Sequence, residues 1–263
     1  MAELVRAAVA SAGREGTRVL SLDTEAIRTI IEAGRSAPDS AVTERTDSLT
    51  TSSLATIVYT SGTTGTPKGT VLSHGNFTDL CVNSHQWMPE IAMGRDSRLL
   101  LFLPLAHVFA RFLELFQISG EGVIGHAPDT RNLLSDLASF RPSYLLVVPR
   151  VLEKIYNSAD ARAGSTSARK VFRWAAKIAV DYSRALDSPA GPSRALRARR
   201  AVADRLVYQR IRALVGGRAD WIISGGAPLS QRLAHFYRGL GIPVLEGYGL
   251  TETVGPVSVN TPR

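Results

Sequence analysis

The sequence predicts an α/β fold in which mostly parallel sheets are flanked by helices. Short apolar runs of strand length alternate with longer stretches of helical periodicity, an order typical of parallel sheets. Glycine-marked loops follow three of the predicted strands, at 61–69, 224–228 and 247–252. Ligands of such sheets bind beyond the carboxyl ends of the strands. We therefore expect the three loops to form a ligand site.

The hydrophobic pattern sets the order of the elements. Residues 1–13 and 23–34 predict helices, with a short strand at 17–22 between them, and the polar stretch 35–53 predicts a loop or linker. The remaining predicted elements are strands at 55–60, 98–104 and 144–149 and within 221–226 and 243–253, and helices at 73–87 (capped by Ser73 or Asn76), from about 150, and at 168–187, 194–215 and 231–241.

Composition excludes several classes of protein. The chain has 263 residues and one cysteine, Cys81, which rules out an internal disulfide framework. No window approaches the roughly 20 apolar residues of a membrane-spanning helix. The first residues lack the basic and apolar regions of a signal peptide. We therefore expect a cytoplasmic protein, with peripheral contact at the inner membrane face as an alternative.

The net charge of +8 is concentrated in one segment. Residues 194–218 hold eight arginines and one aspartate and so carry +7. Three interpretations stay open: a solvated amphipathic face, contact with an anionic membrane surface, or nucleic-acid binding. No aromatic platform or nucleic-acid motif accompanies the charge, and we expect no nucleic-acid partner.

The stretch YTSGTTGTPKG at 59–69 has the composition of a phosphate-binding loop. Its glycines allow backbone N–H groups to approach an anion closely, and its hydroxyls and Lys68 add donors and a positive charge. It is not a P-loop of the G-x-x-x-x-G-K-[ST] type, because Lys68 lies between Pro67 and Gly69. Composition alone leaves a flexible surface loop as the alternative.

The longer string YTSGTTGTPKGTVLSHGN resembles the phosphate loop of adenylate-forming enzymes, the superfamily of acyl-CoA synthetases, luciferases and nonribosomal adenylation domains. SGGAPLS at 224–230 and GYGLTET at 247–253 resemble its adenine-contacting loop and its adenine and magnesium motif. LFLPLAHVFAR at 101–111 is similar to the acyl-pocket segment of long-chain fatty acyl-CoA synthetases. The resemblance covers about residues 54–257 and implies part of the large N-terminal domain of such an enzyme.

The resemblance implies roles for the phosphate loop and for the TET turn. Thr251 would contact phosphate, and Glu252 would bind Mg²⁺, a hard cation that takes few carboxylates and keeps its waters. A lone glutamate is otherwise a solvated surface charge. The phosphate-binding residues of the loop would be Thr60, Ser61, Gly62, Thr63, Thr64, Gly65 and Lys68.

The same resemblance implies an adenine site and an acyl site. Tyr248 would stack on adenine, with Gly247 and Gly249 leaving room and Gly225, Gly226, Ala227 and Pro228 forming the opposite wall. His107 would lie at the acyl carboxylate or the gate of its tunnel, and Trp87 and Phe109 are candidates to line that tunnel. Each of these side chains has packing as its alternative role.

The implied function is ATP-dependent activation of a long-chain fatty acid, followed by transfer to CoA. The alternatives are an acyl-AMP ligase that loads a carrier protein, and an inactive fragment that binds lipid or membrane. Family members continue past the TET motif through a ribose-binding Asp, a hinge Arg and a small domain with a catalytic lysine. We expect an internal fragment, with a partial lead-in at 1–53, a partial AMP-binding domain at 54–263 and a possible partner chain for the missing domain.

Overall fold

The chain separates into two units, residues 1–50 and 51–263. A six-stranded sheet forms the centre of the larger unit. The computed structural model describes residues 2–14, 16–22, 26–60 and 65–262. The strands are β1 (Leu54–Thr60), β2 (Lys68–Ser73), β3 (Arg98–Leu101), β4 (Val123–His126), β5 (Tyr144–Val147), β6 (Trp221–Ser224), β7 (Val244–Leu250) and β8 (Gly255–Val259).

The smaller unit contains three described helices: α1 (Ala2–Ser11), α2 (Ala26–Gly34) and α3 (Asp39–Asp47). The first two match predicted helices, although residues 23–25 lie outside the described part of the chain. The predicted strand at 17–22 is wrong, because Leu20 and Leu22 are exposed and no strand pairs there. The loop predicted at 35–53 is wrong over α3. This helix begins after Pro38, with Asp39 in its first turn and Arg45 in its last, a charge order that complements the helix dipole.

Helices flank the strands of the larger unit. They are α4 (His74–Trp87), α5 (Pro89–Ala92), α6 (Val108–Ile118), α7 (Leu133–Phe140), α8 (Pro149–Arg162), α9 (Thr166–Leu186), α10 (Arg194–Ala203), α11 (Gln209–Leu214) and α12 (Gln231–Gly239), with a π-helical turn at Asp204–Tyr208 between α10 and α11. No helix in the described ranges is both long and apolar enough to cross a membrane.

The main sheet has the order β4-β3-β5-β6-β7-β8, with parallel pairing from β4 to β7 and an antiparallel edge strand, β8. Both faces of its centre are buried. Leu145 and Val147 of β5 pack into the cluster that includes α8, α9 and α12, whereas Tyr144 and Leu146 pack into the cluster that includes α4 and α6. The predicted α/β class is therefore confirmed.

The strand before the phosphate loop pairs differently from the prediction. β1 pairs with β2 in an antiparallel two-stranded sheet, with Thr60 opposite Lys68. The loop at 61–67 is thus the connection of a hairpin and does not follow a strand of the parallel sheet. The chain then enters α4 through a capping box at Ser73, whose Oγ accepts from Asn76 N at 3.3 Å while Asn76 Oδ1 accepts from Ser73 N at 2.9 Å.

A small apolar cluster attaches this hairpin to the rest of the unit. Val58 of β1 and Leu72 of β2 pack with Phe77 of α4, Val108 of α6 and Val254, and all five side chains are buried. Val254 directly follows a 3₁₀ turn at Thr251–Thr253, and β2 contacts that turn. The base of the phosphate-loop hairpin therefore lies beside the TET motif.

Strands β7 and β8 form a second hairpin, in which Gly249 allows a close backbone approach. Gly249 pairs with Pro256 across the hairpin, and a Cβ added at Gly249 would lie 1.8 Å from the carbonyl oxygen of Gly255. A Cβ added at Gly247 would meet nothing closer than Ser258 O, at 3.7 Å, an ordinary contact. The close packing therefore requires glycine at position 249 but not at position 247.

We expect Gly249→Ala to lower the free energy of unfolding by about 3 kcal/mol, because backbone atoms must move to admit the methyl group. Urea unfolding followed by circular dichroism measures the change. Gly247→Ala is the matched control and should stay within about 1 kcal/mol of the parent chain. Equal stability of the two variants would contradict the close approach at Gly249.

Candidate active site

A cavity of about 340 Å³ lies beyond the carboxyl ends of the central parallel strands. Segments after β3, β5 and β6 contribute to it, together with α6 and the hairpin of β7 and β8. Its lining residues are Leu103, Pro104, His107, Val108, Phe109, Ala110, Val148, Gly225, Gly226, Gly247, Tyr248, Gly249, Leu250, Thr251, Gly255 and Pro256. Three sequence motifs that are far apart in the chain therefore surround one space.

Two glycines after β6 keep one wall of the cavity flat. A Cβ added at Gly225 would lie 3.2 Å from Phe109 Cζ and 3.3 Å from the carbonyl oxygen of Gly247, tighter than ordinary contacts. Gly226 has a φ of 80°, which a residue with a side chain rarely adopts. Ala227 and Pro228, which were predicted on this wall, are exposed and are not among the lining residues.

The cavity is also lined by Tyr248, which is 63% exposed. Gly247 and Gly249 flank it in β7 and also line the cavity. An uncovered aromatic ring beside a glycine wall fits a flat heteroaromatic ligand, because π faces stack well in an offset geometry. The described lining residues are therefore compatible with a purine base.

The 224–230 loop is fixed to β7 by a residue that sequence reasoning missed. Glu246 Oε1 accepts a hydrogen bond from the backbone N–H of Leu229 at 3.2 Å. Ser224, which starts the loop, is fully buried, and its Oγ has no hydrogen-bond partner within the described ranges. In the sequence, the one indication of a role for Glu246 is that it immediately precedes the GYGLTET motif.

The acyl-pocket segment enters the cavity through the start of α6. His107 is the N-cap residue of this helix; its imidazole is exposed and makes no capping hydrogen bond, although the residue lines the cavity. Phe109 also lines the cavity and contacts the Gly225 wall. Trp87 is 70% exposed and is not among the residues that line this cavity, so its place in an acyl tunnel stays a prediction.

The TET turn presents one carboxylate and one available hydroxyl. Thr253 Oγ1 is used within the turn, where it accepts from Leu250 N at 3.0 Å and lies 2.8 Å from the acceptor Gly255 O. Thr251 lines the cavity, and Glu252 beside it is exposed. Val254 closes the turn with a φ of 65°, an unusual conformation for a β-branched residue, which burial in the apolar cluster stabilises.

Glu252 fits a magnesium site of the kind in which phosphates and water supply the other ligands. The described residues contain no group of three or more His, Cys, Asp or Glu side chains able to hold a metal. Mg²⁺ commonly takes only one or two protein carboxylates when phosphates are bound. A single accessible Glu252 carboxylate therefore suits a metal that arrives with a nucleotide.

The phosphate-loop residues are only partly described. Thr60 and Lys68 end the paired region of the hairpin, where Thr60 Oγ1 lies 3.5 Å from Lys68 O, and Lys68 is exposed. Gly65 has a φ of 81°, as a tight glycine turn requires. Ser61, Gly62, Thr63 and Thr64 lie outside the described residues.

The lining set also includes residues that no motif indicated. Gly255 and Pro256 come from the edge strand β8, and Val148 follows β5. Val148 directly follows a strand at the carboxyl edge of the sheet, and this position was its only signal in the sequence. Together, the fold and the cavity define an α/β protein with a nucleotide-sized site of glycine walls and one exposed aromatic ring.

Comparison with known proteins identifies the family. The model of a family described as AMP-binding enzyme matches residues 2–263, and the chain belongs to that family. A long-chain-fatty-acid–CoA ligase of Mycobacterium bovis, FadD15, is 42% identical over 247 residues, which are 94% of this chain and 41% of the relative. The chain therefore spans about two fifths of the length of that relative.

Solved structures agree on the fold. The adenylation domain of a carboxylate reductase from Mycobacterium chelonae matches 98% of this chain and 34% of its own, with 26% identity and a TM-score of 0.57. The N-terminal domain of FACL13 from Mycobacterium tuberculosis matches 89% of this chain and 51% of its own, with 22% identity and a TM-score of 0.52. The predicted resemblance to the large N-terminal domain of adenylate-forming enzymes is thereby confirmed.

Proposed function

We propose that this chain forms the nucleotide- and acyl-binding core of a long-chain fatty acid–CoA ligase that forms AMP. The observation that carries the proposal is the single cavity shared by LPLAHVFA, SGG and GYGLT. A fatty acyl-adenylate contains both a purine and an acyl chain joined at one phosphate. A site that joins glycine walls, an exposed ring and apolar side chains suits such a molecule.

In the proposed reaction, the fatty carboxylate attacks the α-phosphate of ATP and pyrophosphate leaves. The thiol of CoA then attacks the acyl-adenylate, giving acyl-CoA and AMP. The carboxylate is already ionised near neutral pH, so the first step requires positioning and charge neutralisation more than a general base. His107 would orient the carboxylate or gate its entry, which is a positioning role.

Stabilisation of the leaving pyrophosphate would come from the hairpin and the TET turn. Lys68 and the backbone N–H groups of the 61–67 loop would bind the β- and γ-phosphates, where negative charge grows in the transition state. Thr251 would contact phosphate, and Glu252 would hold Mg²⁺. The metal would neutralise phosphate charge when bound. The contact between β2 and the turn supports a shared role for these groups.

Binding of a stable acyl-adenylate mimic tests the proposed function directly. Palmitoyl-sulfamoyl-adenosine should bind the 263-residue chain at least tenfold more tightly than AMP, because it gains apolar contacts beside Leu103, Val108 and Phe109. Calorimetry with the acetyl analogue gives the contribution of the long chain. Equal affinity of the palmitoyl and acetyl mimics would contradict an acyl site here, and absence of binding by AMP and both mimics would contradict the nucleotide site.

We expect Lys68→Ala to weaken ATP binding by roughly tenfold or more while AMP binding changes little, because the lost charge would contact only the outer phosphates. Competition with a fluorescent ATP analogue measures both affinities. Lys68→Arg keeps the charge and should retain most of the ATP affinity. Equal losses for ATP and AMP would instead assign Lys68 a role in the hairpin structure.

Glu252→Ala should raise the Mg²⁺ concentration required for ATP binding, and excess Mg²⁺ should restore part of the affinity. Titration of Mg²⁺ at fixed ATP measures this shift. Glu153→Ala removes an exposed carboxylate from α8 and serves as the control, with an unchanged Mg²⁺ requirement. If the Mg²⁺ midpoint of Glu252→Ala equals that of the control, Glu252 is not the metal ligand.

A further inference from the structure

The arginines of the basic segment 194–218 divide into two groups of four. One group makes structural contacts within the protein. Arg197 donates to Pro192 O, Arg200 donates to Gly239 O and stacks over Tyr182, and Arg218 donates to Asp96 O. Arg212 donates to both carboxylate oxygens of Asp204, at 2.7 and 3.1 Å, which holds the pKa of that carboxyl below its usual range. These arginines stabilise the fold.

The second group consists of Arg194, Arg199, Arg205 and Arg210, all of which are exposed. No acidic side chain of the described residues pairs with any of them. Two carboxylates near this region are engaged by other arginines, Asp204 by Arg212 and Asp160 by Arg173 at 3.7 Å. The four exposed arginines therefore form no ion pair within the described part of the chain.

An apolar groove of about 420 Å³ lies between the end of α8, the first half of α9 and the helix that carries these arginines. Phe172 and Ile211 form its buried floor, and Val171, Leu206 and Leu214 also line it. Two arginines, Arg162 and Arg210, stand among the lining residues, and none of the lining side chains is acidic. The groove thus combines an apolar interior with a purely cationic edge.

Exposed apolar side chains extend this surface beyond the groove. Leu206 is 47% exposed, and Val202 precedes it by one helical turn and is also exposed. On α9, Trp174 follows Val171 by one turn and is 38% exposed. Tryptophan is enriched where proteins meet the headgroup layer of a membrane.

We propose that this groove and its arginines bind the surface of a membrane containing anionic phospholipids. Headgroup phosphates would pair with the unneutralised arginines, and Leu206, Val171 and Trp174 would enter the boundary with the acyl chains. Contact of this kind is peripheral. It rests on charge complementarity at this surface and is independent of the nucleotide site.

Sedimentation with lipid vesicles tests the proposal. The 263-residue chain should bind vesicles of phosphatidylcholine mixed with phosphatidylglycerol far better than phosphatidylcholine alone, and salt should weaken the binding. Arg205→Gln with Arg210→Gln should reduce the affinity by roughly thirtyfold. The control double variant, Arg95→Gln with Arg150→Gln, loses the same charge from exposed positions elsewhere and should bind nearly as well as the parent chain.

Tryptophan emission provides a second measurement that charge alone would not change. Emission should shift to the blue on anionic vesicles, and Trp174→Phe should abolish most of the shift while retaining binding. Equal losses by the two double variants, or binding without a contribution from Trp174, would overturn the assignment of this surface. Failure to bind anionic vesicles, combined with binding of an acidic amphipathic peptide, would assign the groove to a protein partner and overturn the lipid proposal.

Discussion

The packing of five buried side chains determines whether the parts of the candidate site can work together. Val58 and Leu72 belong to the phosphate-loop hairpin, Val108 to the helix that carries the acyl segment, and Val254 to the end of the TET turn. The hairpin has only two strands and lies outside the main sheet. A two-stranded hairpin is marginally stable alone, so its position depends on this cluster.

The cluster also explains why an unfavourable backbone conformation persists at the turn. Val254 adopts a positive φ and is buried against the hairpin. Burial of an apolar side chain provides roughly 1.5–3 kcal/mol, which is of the same size as the cost of such a conformation. The orientation of Thr251 and Glu252 is therefore coupled to the packing of residues that touch no ligand.

The sequence was sufficient to predict the α/β class and much of the cavity. The motifs at 224–226 and 247–251 lie together because the carboxyl ends of parallel strands meet at one edge, which is a property of the fold class. The same reasoning failed at 61–69, since an apolar strand such as ATIVYT looks alike in a parallel sheet and in a hairpin. β2 and β8 are short and lack a long apolar run, so Gly255 and Pro256 gave no signal before the fold was known.

The helix from 194 to 214 contains a π-helical turn at Asp204–Tyr208, and Arg212 reaches back across that turn to Asp204. Each residue advances an α-helix by about 100°. A π-helical turn holds about one residue more than an α-helical turn, so the two halves of this helix face the same way as they would in a regular helix one residue shorter. Deleting one residue within Asp204–Tyr208 would therefore leave Arg210 and Leu214 at the groove. A deletion in the regular turns of α10 or α11 would instead rotate one half against the other by about 100°. In the evolution of this segment, loss of a single residue should be tolerated within the π-helical turn and selected against on either side of it.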